Sequence, residues 1–197
     1  MVSKGEQTRR AILSDALAEA SVRGLDGLTI GSLAKRMGMS KSGLYAHFDS
    51  KEALQIRVLE EARDRFVRDV VAPALKEPRG EPRVRSLFDR WIAWERSEAF
   101  PGGCPFIAAA AELDDRPGPV RDSLVTSQRD WADTLAGAAR IAVSEGHFRR
   151  DLDVEQWAYE VWGLVLSYHW YARLLGEEDA LSRLTRGFDA LLARSCF

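Results

Sequence analysis

The sequence predicts an all-α protein of about nine helices, in which a small N-terminal three-helix domain precedes a larger helical body. Apolar residues recur at intervals of three and four along most of the chain, as they do on the buried side of an amphipathic helix. Glycine and proline interrupt this pattern and mark the connections between helices. Alternation of apolar and polar residues, the pattern of a half-buried strand, is not found.

Length and composition fit a globular protein with a sizeable core. The chain has 197 residues, 46% of them hydrophobic and 29% charged, so neither disorder nor a collagen-like fold is indicated. The net charge of −2 is unevenly distributed, because residues 1–48 contain seven Lys or Arg against four Asp or Glu. A basic N-terminal part on an acidic body suits a protein that meets a polyanion at one end.

The first two helices are recognised by their apolar stripes and by the residues that bound them. A first helix is predicted over residues 7–23, and Gly24 ends it. Thr29 is a favoured N-cap residue, so a second helix is predicted to begin directly after it. The stripes are Ile12, Leu13, Ala16, Leu17 and Ala20 in the first helix and Ile30, Leu33, Ala34 and Met37 in the second.

A glycine turn and a short third helix follow. Gly38 permits the turn, and Ser40 is a good N-cap for the next helix, in which Leu44 and Phe48 point inward. The residues left on the outer side are Lys41, Ser42, Gly43, Tyr45 and His47. Two helices joined by such a turn form a helix-turn-helix, whose second helix enters the major groove of DNA. DNA binding is therefore predicted at this pair of helices.

Two lysines favour the same prediction. Lys41 and Lys51 lie at or beside the first turn of a predicted helix, where the helix dipole disfavours a cation by roughly 0.3–1 kcal/mol. A phosphate would remove this conflict, since helix N-termini bind anions. Tyr45 and His47 can also hydrogen-bond a phosphate. The alternative for either lysine alone is an ordinary solvated side chain.

A long fourth helix is predicted over residues 50–75. Asp49 and Glu52 have the spacing of a capping box at its start. Its apolar stripe repeats every four residues as far as Pro73 and consists of Leu54, Val58, Ala62, Phe66 and Val70. At 1.5 Å per residue, such a rod of about 30 Å would connect the DNA-binding helices to the body as a mechanical lever.

Three further helices follow a break rich in proline and glycine at residues 76–82. Helix five is predicted over residues 83–99, with Trp91 and Trp94 on its inner side. Helix six begins at Cys104 with proline in a favoured first-turn position and runs to residue 113. Helix seven is predicted over residues 120–145, and Gly146 ends it.

Helices eight and nine, predicted over residues 154–175 and 179–193, are the candidate dimer interface. Helix eight is apolar on nearly all sides, and such a helix must be covered on all sides. One flank can pack on its own domain and another on a second copy of the chain. Helix nine carries an apolar stripe, so the two helices can form a four-helix arrangement with their symmetry mates.

Several classes of function are excluded by the sequence. The two cysteines have no metal-ligand spacing, and none of the three histidines has a partner at the spacing of a catalytic triad. No metal site, no cofactor and no enzymatic activity is therefore predicted. The longest apolar run is interrupted by Glu160, His169 and Arg173, which argues against a membrane span. A soluble cytoplasmic protein without a leader is expected.

The segment from about residue 8 to residue 59 resembles the DNA-binding domain of the tetracycline-repressor (TetR) family of transcription regulators. The run MSKSGLYAHFDSKEAL, residues 39–54, is similar to the family pattern nearly position for position. Other residues that carry the resemblance are Ile12, Ala16, Thr29, Ile30, Leu33, Ala34 and Gly38. Many members have Thr where Gly43 stands, so one potential contact is absent here. The candidate DNA-binding residues are Thr29, Ser40, Lys41, Ser42, Gly43, Tyr45, His47 and Lys51.

The resemblance also implies a body that binds an effector. TetR-like proteins place an apolar inducer pocket among helices five to eight. The candidates for its lining are Trp91, Trp94, Phe106, Trp131, Trp162 and Tyr168. Aromatic walls with few charges favour a flat, mostly hydrophobic ligand. For any single tryptophan, ordinary core packing is the alternative.

These expectations combine into a homodimeric, ligand-responsive transcription regulator, most simply a repressor. Residues 1–50 would form the DNA-binding domain and residues 51–197 the ligand-binding and dimerisation domain, with helix four as the lever between them. Two copies would read a palindromic operator with recognition helices about 34–36 Å apart, or a near multiple of that distance. Ligand binding in the body would then release DNA.

Alternatives remain at the level of sequence. Cys104 lies at a helix N-terminus, which favours its thiolate and suggests a redox or electrophile sensor, against the alternative of a small buried residue. The chain could also bind DNA without any small-molecule effector, or sequester a small molecule with a vestigial DNA-binding domain. Neither the effector, the operator and its regulated genes, nor repression versus activation follows from the sequence.

Overall fold

The computed structural model describes residues 4–196, and every regular element within that span is a helix. The helices are α1 Lys4–Arg23, α2 Ile30–Arg36, α3 Lys41–Tyr45, α4 Lys51–Phe66, α5 Glu81–Glu95, α6 Pro105–Leu113, α7 Pro119–Ser144, α8 Val154–His169 and α9 Ala180–Ser195. Two of them continue further: α4 through a π-helical turn Val67–Val71 and a last turn Ala72–Ala74, and α8 through a π-helical turn Trp170–Leu174. The all-α prediction with nine helices is confirmed for this part of the chain.

The short helices begin at hydroxyl side chains. The Oγ1 atom of Thr29 accepts a hydrogen bond from the backbone N–H of Ser32 at 3.0 Å, and Ser40 Oγ accepts one from Gly43 at 3.0 Å. Each bond satisfies an N–H group that the helix itself leaves unpaired. Both predicted N-caps are therefore confirmed.

At the start of α4 the structure corrects the prediction. Ser50, and not Asp49, is the N-cap residue, because its backbone is extended and its Oγ accepts from the N–H of Ala53 at 3.0 Å. Spacing alone does not distinguish two adjacent residues that can both cap a helix.

The described residues form two compact units. One comprises residues 4–67 and 96–127, and the other comprises residues 68–95 and 128–196. The first unit thus contains α1 to α4 together with α6. The predicted boundary at residue 50 concerns function and stays a prediction, since these units describe packing.

In the first unit, α1 packs against α4 and α6, and α2 packs against α3. The predicted stripe of α1 is buried throughout, with Ile12, Ala16 and Leu17 fully inaccessible. In α2 the stripe is buried except at Met37, which is only half-buried because it is the C-cap residue, where the chain leaves the helix. Each fully buried aliphatic side chain stabilises such a core by about 1.5–3 kcal/mol.

The apolar stripe of α4 stays on one side because of the π-helical turn. Four residues advance about 400° in an α-helix, so a four-residue repeat drifts by about 40° at each step. A π-turn takes more residues per turn, and the step from Phe66 to Val70 therefore turns the stripe back. Phe66, Val70 and Ala74 are all buried as a result. The predicted uninterrupted rod is thus a helix with one wider turn.

Aromatic contacts dominate the core of the second unit. The rings of Phe88 in α5 and Phe188 in α9 are stacked, with centroids 3.6 Å apart and planes 4° apart. Trp157, which is 2% exposed, packs against Phe148 at 5.9 Å between ring centroids. The N-terminus of α5 is capped by His147, whose Nδ1 accepts from the N–H of Glu81 at 3.0 Å. Such aromatic pairs add to the hydrophobic stabilisation of the area they bury.

Helix α8 is covered on one side only within a single chain. Its buried side includes Trp157, Val161 and Val165, whereas Tyr159 and Trp170 are 74% and 58% exposed.

Helix α5 ends at Glu95, four residues before its predicted end. Among residues 4–196, no helix combines the length and the apolar character that crossing a membrane requires.

Candidate nucleic-acid interface

The turn between α2 and α3 is built on Gly38. This residue has φ +64°, a left-handed conformation that suits glycine. The N–H of Met39 donates to the carbonyl of Ala34 at 2.9 Å, and the N–H of Gly38 donates to that of Lys35 at 3.3 Å. This pair of bonds is the Schellman ending of a helix, so the prediction that Gly38 stops α2 is confirmed.

The short helix α3 presents a polar side to solvent. Leu44 is 0% and Phe48 3% exposed, as the pattern predicts. The outward positions divide into three exposed side chains, Lys41, Ser42 and Tyr45, and two half-buried residues, Gly43 and His47. Hydroxyl, phenol and ammonium groups on a surface helix are the groups that contact phosphates and base edges.

Four of the candidate residues also contribute to the local structure of the helix-turn-helix. Thr29 and Ser40 use their hydroxyl oxygens as N-caps, and the hydroxyls of Ser40 and Ser42 lie 3.1 Å apart. A Cβ atom added at Gly43 would lie 3.1 Å from Ser40 Oγ, so glycine at this position leaves room for the cap. The contacts of these residues with DNA stay predictions.

Lys41 extends back over α2. A Cβ atom added at Gly31 would lie 3.3 Å from Lys41 Cε and 3.7 Å from its Nζ, so the absent side chain of Gly31 makes room for the lysine. Among residues 4–196, no carboxylate forms an ion pair with Lys41. Its ammonium thus lies close to the N-terminus of α2, where the argument for a phosphate partner still applies.

Lys51 differs, because its partner lies within the chain. Its Nζ donates to the backbone carbonyl of Asp26 at 2.8 Å and lies 3.8 Å from the Asp26 carboxylate. The conflict between this lysine and the helix dipole, which suggested a phosphate, is therefore relieved by Asp26. The role of Lys51 in DNA binding stays a prediction that this conflict no longer supports.

Asp26 was not singled out from the sequence. A hydrogen bond from Arg116 lowers the pKa of this carboxyl, and the charges of Arg116 and Lys51 act in the same direction. Arg116 lies 90 positions away in the chain, so no local pattern connects the two residues.

Two further arginines brace the helix-turn-helix pair. Arg36 at the end of α2 donates to Asp15 at 2.7 Å and lies 3.0 Å from the Glu19 carboxylate, both in α1. The hydrogen bond to Asp15 raises the pKa of Arg36, whose guanidinium is in any case always charged. Arg9 lies over the ring of Phe48, with 5.8 Å between the guanidinium carbon and the ring centroid. Its position near α3 makes Arg9 a cation that the sequence reasoning missed.

The six candidates for an effector pocket are distributed over both units. Phe106 belongs to the first unit, where its ring lies edge-on to Phe66 at 6.0 Å between centroids. In the second unit, the ring of Tyr168 lies edge-on to Trp91, with centroids 6.2 Å apart. The others there are Trp94 and Trp131, which are buried, and Trp162, which is half-buried.

A cleft of about 280 Å³ lies between α8 and α9 in the second unit. It is lined by Leu164, Ser167, Tyr168, Tyr171, Ala180, Arg183 and Leu184. Only Tyr168 is shared with the predicted pocket lining. The lining was missed by sequence reasoning because these residues come together only where two antiparallel helices pack.

Cys104 lies at the N-cap position of α6, as predicted, and is 3% exposed. Burial restricts the access of an oxidant or electrophile, so its reactivity stays a prediction. In the described part of the chain, no cluster of His, Cys, Asp and Glu could hold a metal ion.

Two family models match the chain. Residues 12–58 match the model described as "Bacterial regulatory proteins, tetR family", which covers the helix-turn-helix. Residues 80–188 match the model described as "Tetracyclin repressor-like, C-terminal domain", which covers more than half of the chain.

Known proteins show the same likeness. The uncharacterized HTH-type transcriptional regulator YdgC of Bacillus subtilis (strain 168) is 32% identical over 65 residues, which cover 33% of each chain. The chain is similar in fold to a TetR transcriptional regulator from Chloroflexus aurantiacus J-10-FL, with a TM-score of 0.83 and 24% identity over 96% of this chain and 94% of that one. It is also similar in fold to AibR, solved in complex with isovaleryl coenzyme A and operator DNA, with a TM-score of 0.73 and 22% identity over 94% and 96%.

Both family models agree with the helix-turn-helix geometry of α2 and α3. The chain belongs to the tetR family of bacterial regulatory proteins, and it is a DNA-binding transcription regulator and not an enzyme.

Proposed function

We propose that this regulator is a ligand-responsive repressor that binds a palindromic operator as a homodimer and is released by a small, mostly hydrophobic or aromatic effector. Members of the family bind operator DNA and small-molecule effectors as dimers. The observation that carries the proposal is the polar side of α3, where Lys41, Ser42 and Tyr45 are exposed above the buried Leu44 and Phe48.

The proposed interface with DNA consists of Thr29, Ser40, Lys41, Ser42, Gly43, Tyr45, His47 and Lys51. Helix α3 would enter the major groove, with Lys41 and Tyr45 on the phosphates that flank it. We infer that the neighbouring cation Arg9 contributes to the positive potential of this surface.

The uncovered side of α8 supports the proposed dimer. Tyr159, Leu166 and Trp170 are 74%, 42% and 58% exposed and recur at intervals that place them on one side of the helix. Large apolar side chains exposed along one side of a helix are typical of an interaction site. A two-fold interface through α8 and α9 would cover it and would hold two recognition helices about 34–36 Å apart, or a near multiple of that distance.

The proposed effector site consists of Trp91, Trp94, Phe106, Trp131, Trp162 and Tyr168. Aromatic side chains around a buried site favour a flat apolar ligand. The structural neighbour AibR was solved in complex with isovaleryl coenzyme A and operator DNA, so a protein of this fold has been seen with a small molecule and DNA together.

Release would follow from movement of α4. Residues 1–50 act as the DNA-binding domain, residues 51–197 as the ligand-binding and dimerisation domain, and α4 as the lever between them. An effector can change DNA affinity only by binding the two arrangements of the dimer with different affinity. A coupling of about 2 kcal/mol corresponds to roughly a thirty-fold change in DNA affinity.

Selection of bound duplexes from a random DNA pool tests the proposal. We expect the purified protein to enrich a palindrome and to lose affinity as salt rises. Lys41→Ala combined with Tyr45→Ala should weaken binding and lower the salt slope by about one per lost phosphate contact. Lys76→Ala, which removes an exposed lysine outside the interface, is the matched control. Unchanged capture by the double variant would refute the proposed interface.

Two alternatives have distinct signatures. If Cys104 senses oxidants or electrophiles, DNA release by such reagents will be lost in Cys104→Ser, while release by an apolar compound will not. A DNA-binding protein without an effector would bind the selected palindrome, and no compound would release it. A titration of aromatic compounds that leaves both the tryptophan fluorescence and the DNA affinity unchanged would favour this last case.

A further inference from the structure

The loop between α1 and α2, residues 24–29, is held by side chains from α4 and α6. The N–H groups of Leu25 and Asp26 both donate to Oε2 of Glu112, at 2.8 and 3.1 Å. The carbonyl of Leu25 accepts from Gln55 Nε2 at 2.9 Å, and the carbonyl of Asp26 accepts from Lys51 Nζ at 2.8 Å. Three side chains thus satisfy four backbone groups that a surface loop ordinarily leaves to water.

The chain leaves space for this contact. Gly24 has φ +72°, and a Cβ atom there would lie 1.6 Å from Oε1 of Glu112. Only glycine allows the carboxylate to approach the loop this closely. At the other end of α6, the N–H of Gly102 donates to Ser21 Oγ at 3.0 Å, and a Cβ atom on Gly102 would lie 1.7 Å from the Ser21 carbonyl oxygen. The segment that contains α6 is therefore fastened to the C-terminal end of α1 at two points.

Charge adds a third connection. The Asp26 carboxylate accepts a hydrogen bond from Arg116, which follows α6, and also lies 3.8 Å from Lys51 Nζ. The α1–α2 loop is thus engaged by an acid and a base from the α6 side, Glu112 and Arg116. All of these residues belong to the first compact unit, which groups residues 96–127 with the helix-turn-helix.

The position of this loop determines where α2 begins. Leu25 and Leu28 are 2% and 0% exposed, and Thr29 caps α2 directly after them. The opposite end of α2 is tied to α1 by the ion pairs of Arg36 with Asp15 and Glu19. Because α2 packs on α3, a displacement of the loop that shifts α2 would be passed on to α3, the proposed recognition helix.

We propose that Glu112 is a positioning residue for DNA binding, through which α6 holds the α1–α2 loop and hence the helix-turn-helix pair in place. This inference rests on the proposed interface at α3. It assigns to α6, which lies in the part of the chain matched by the C-terminal family model, a direct action on the DNA-reading helices in addition to the route through α4.

The first test compares two variants at one position with a nearby control. Glu112→Ala removes both acceptor oxygens, Glu112→Gln keeps one, and Asp115→Ala removes an exposed carboxylate from the same end of α6. We expect the dissociation constant for the selected operator to rise about tenfold in Glu112→Ala, within the usual range of coupling between sites. The dissociation constant should rise less in Glu112→Gln, and that of Asp115→Ala should equal the value of the parent. Binding is measured well below the melting temperature of each variant, so that all are fully folded.

Hydrogen exchange gives a readout at the contact itself. The amides of Leu25 and Asp26 should exchange faster in Glu112→Ala, and Glu112→Gln should restore part of their protection. A residue that only stabilises the fold would change the melting temperature without changing operator affinity in the folded protein.

A substitution at Gly24 provides an independent route to the same contact. A Cβ atom at this position collides with the Glu112 carboxylate, and alanine is also strained at φ +72°, so Gly24→Ala should weaken operator binding by at least as much as Glu112→Ala does. The combined variant should weaken binding by less than the sum of the two single changes, because both remove the contact with Glu112. Additive effects on binding would overturn the inference.

Failure of this inference and failure of the proposed DNA interface give different results in these experiments. If the parent binds a palindrome and folded Glu112→Ala binds it equally well, Glu112 is not a positioning residue and the proposed interface is unaffected. If the parent enriches no duplex at low salt, the proposed interface is wrong and this inference is wrong with it.

Discussion

The two compact units are stabilised in different ways. In the unit that carries the helix-turn-helix, polar side chains determine where helices start and stop: Thr29 and Ser40 cap α2 and α3, and Glu112 holds the loop before them. The other unit also has side-chain caps, since His147 and Asp153 cap α5 and α8, but its core is distinguished by ring pairs such as Phe88–Phe188 and Phe148–Trp157. Directional hydrogen bonds position a surface that must fit DNA, whereas ring packing supplies stability with less constraint on any single group.

This comparison predicts that the largest loss of stability comes from the ring-packed unit. Trp157→Ala removes a side chain that is 2% exposed and leaves a cavity beside Phe148. We expect a destabilisation of about 3–5 kcal/mol, measured by denaturant unfolding. Val22→Ala, at a 60% exposed position in the other unit, is the control and should change stability by less than about 0.5 kcal/mol. A loss below 1 kcal/mol for Trp157→Ala would contradict the assignment of stability to ring packing.

Trp170 tests the uncovered side of the same unit. It is 58% exposed, so Trp170→Ala should leave the folding of a single chain nearly unchanged. If α8 forms the dimer interface, the loss of this exposed tryptophan directly after α8 should weaken dimerisation by about 2 kcal/mol or more, roughly thirty-fold. Sedimentation at several concentrations measures this effect, with Leu75→Ala, 48% exposed elsewhere in the unit, as control. A parent dimer that Trp170→Ala leaves intact would place the interface elsewhere.

A smaller effect is expected from a cap in the helix-turn-helix. Ser40→Ala removes the acceptor for the N–H of Gly43 and should destabilise α3 by about 1 kcal/mol. Because α3 has only five residues, this loss should raise the dissociation constant for the operator several-fold. The melting temperature of the whole protein should fall by only a few degrees. Fluorescence anisotropy and thermal unfolding measure the two effects, and Ser14→Ala in the exposed side of α1 should show neither. A drop in melting temperature with unchanged operator affinity would mean that the cap serves stability alone.

The smallest effect concerns pH. The hydrogen bond from Arg116 lowers the pKa of Asp26 in the folded protein below its unfolded value. A lowered carboxyl pKa stabilises the fold above the unfolded pKa of about 3.9, and this contribution is lost as the pH falls through the folded pKa. The difference in unfolding free energy between the parent and Asp26→Asn should therefore shrink below about pH 4. If the difference in unfolding free energy between the parent and Asp26→Asn grew as the pH fell, the pKa of Asp26 would not be lowered in the folded protein.

Interactions between residues close together in the chain could be predicted from the sequence, whereas those between distant residues could not. The caps at Thr29 and Ser40 and the stop at Gly38 involve residues three to five positions apart, and all were predicted. The choice between Asp49 and Ser50 was wrong because both residues can cap a helix. The partner of Lys51 and the bonds of Glu112 were not predicted, since Glu112 and Leu25 are 87 positions apart.

The sequence by itself determined the helices, their boundaries to within a few residues, and the polar side of α3, because helix periodicity and capping depend on near neighbours in the chain. Only the tertiary structure decided that residues 96–127 pack with the helix-turn-helix, that Lys51 is engaged by Asp26, and that one side of α8 is left uncovered. These features depend on which distant surfaces meet, and such contacts form from packing that leaves no periodic signal in the chain.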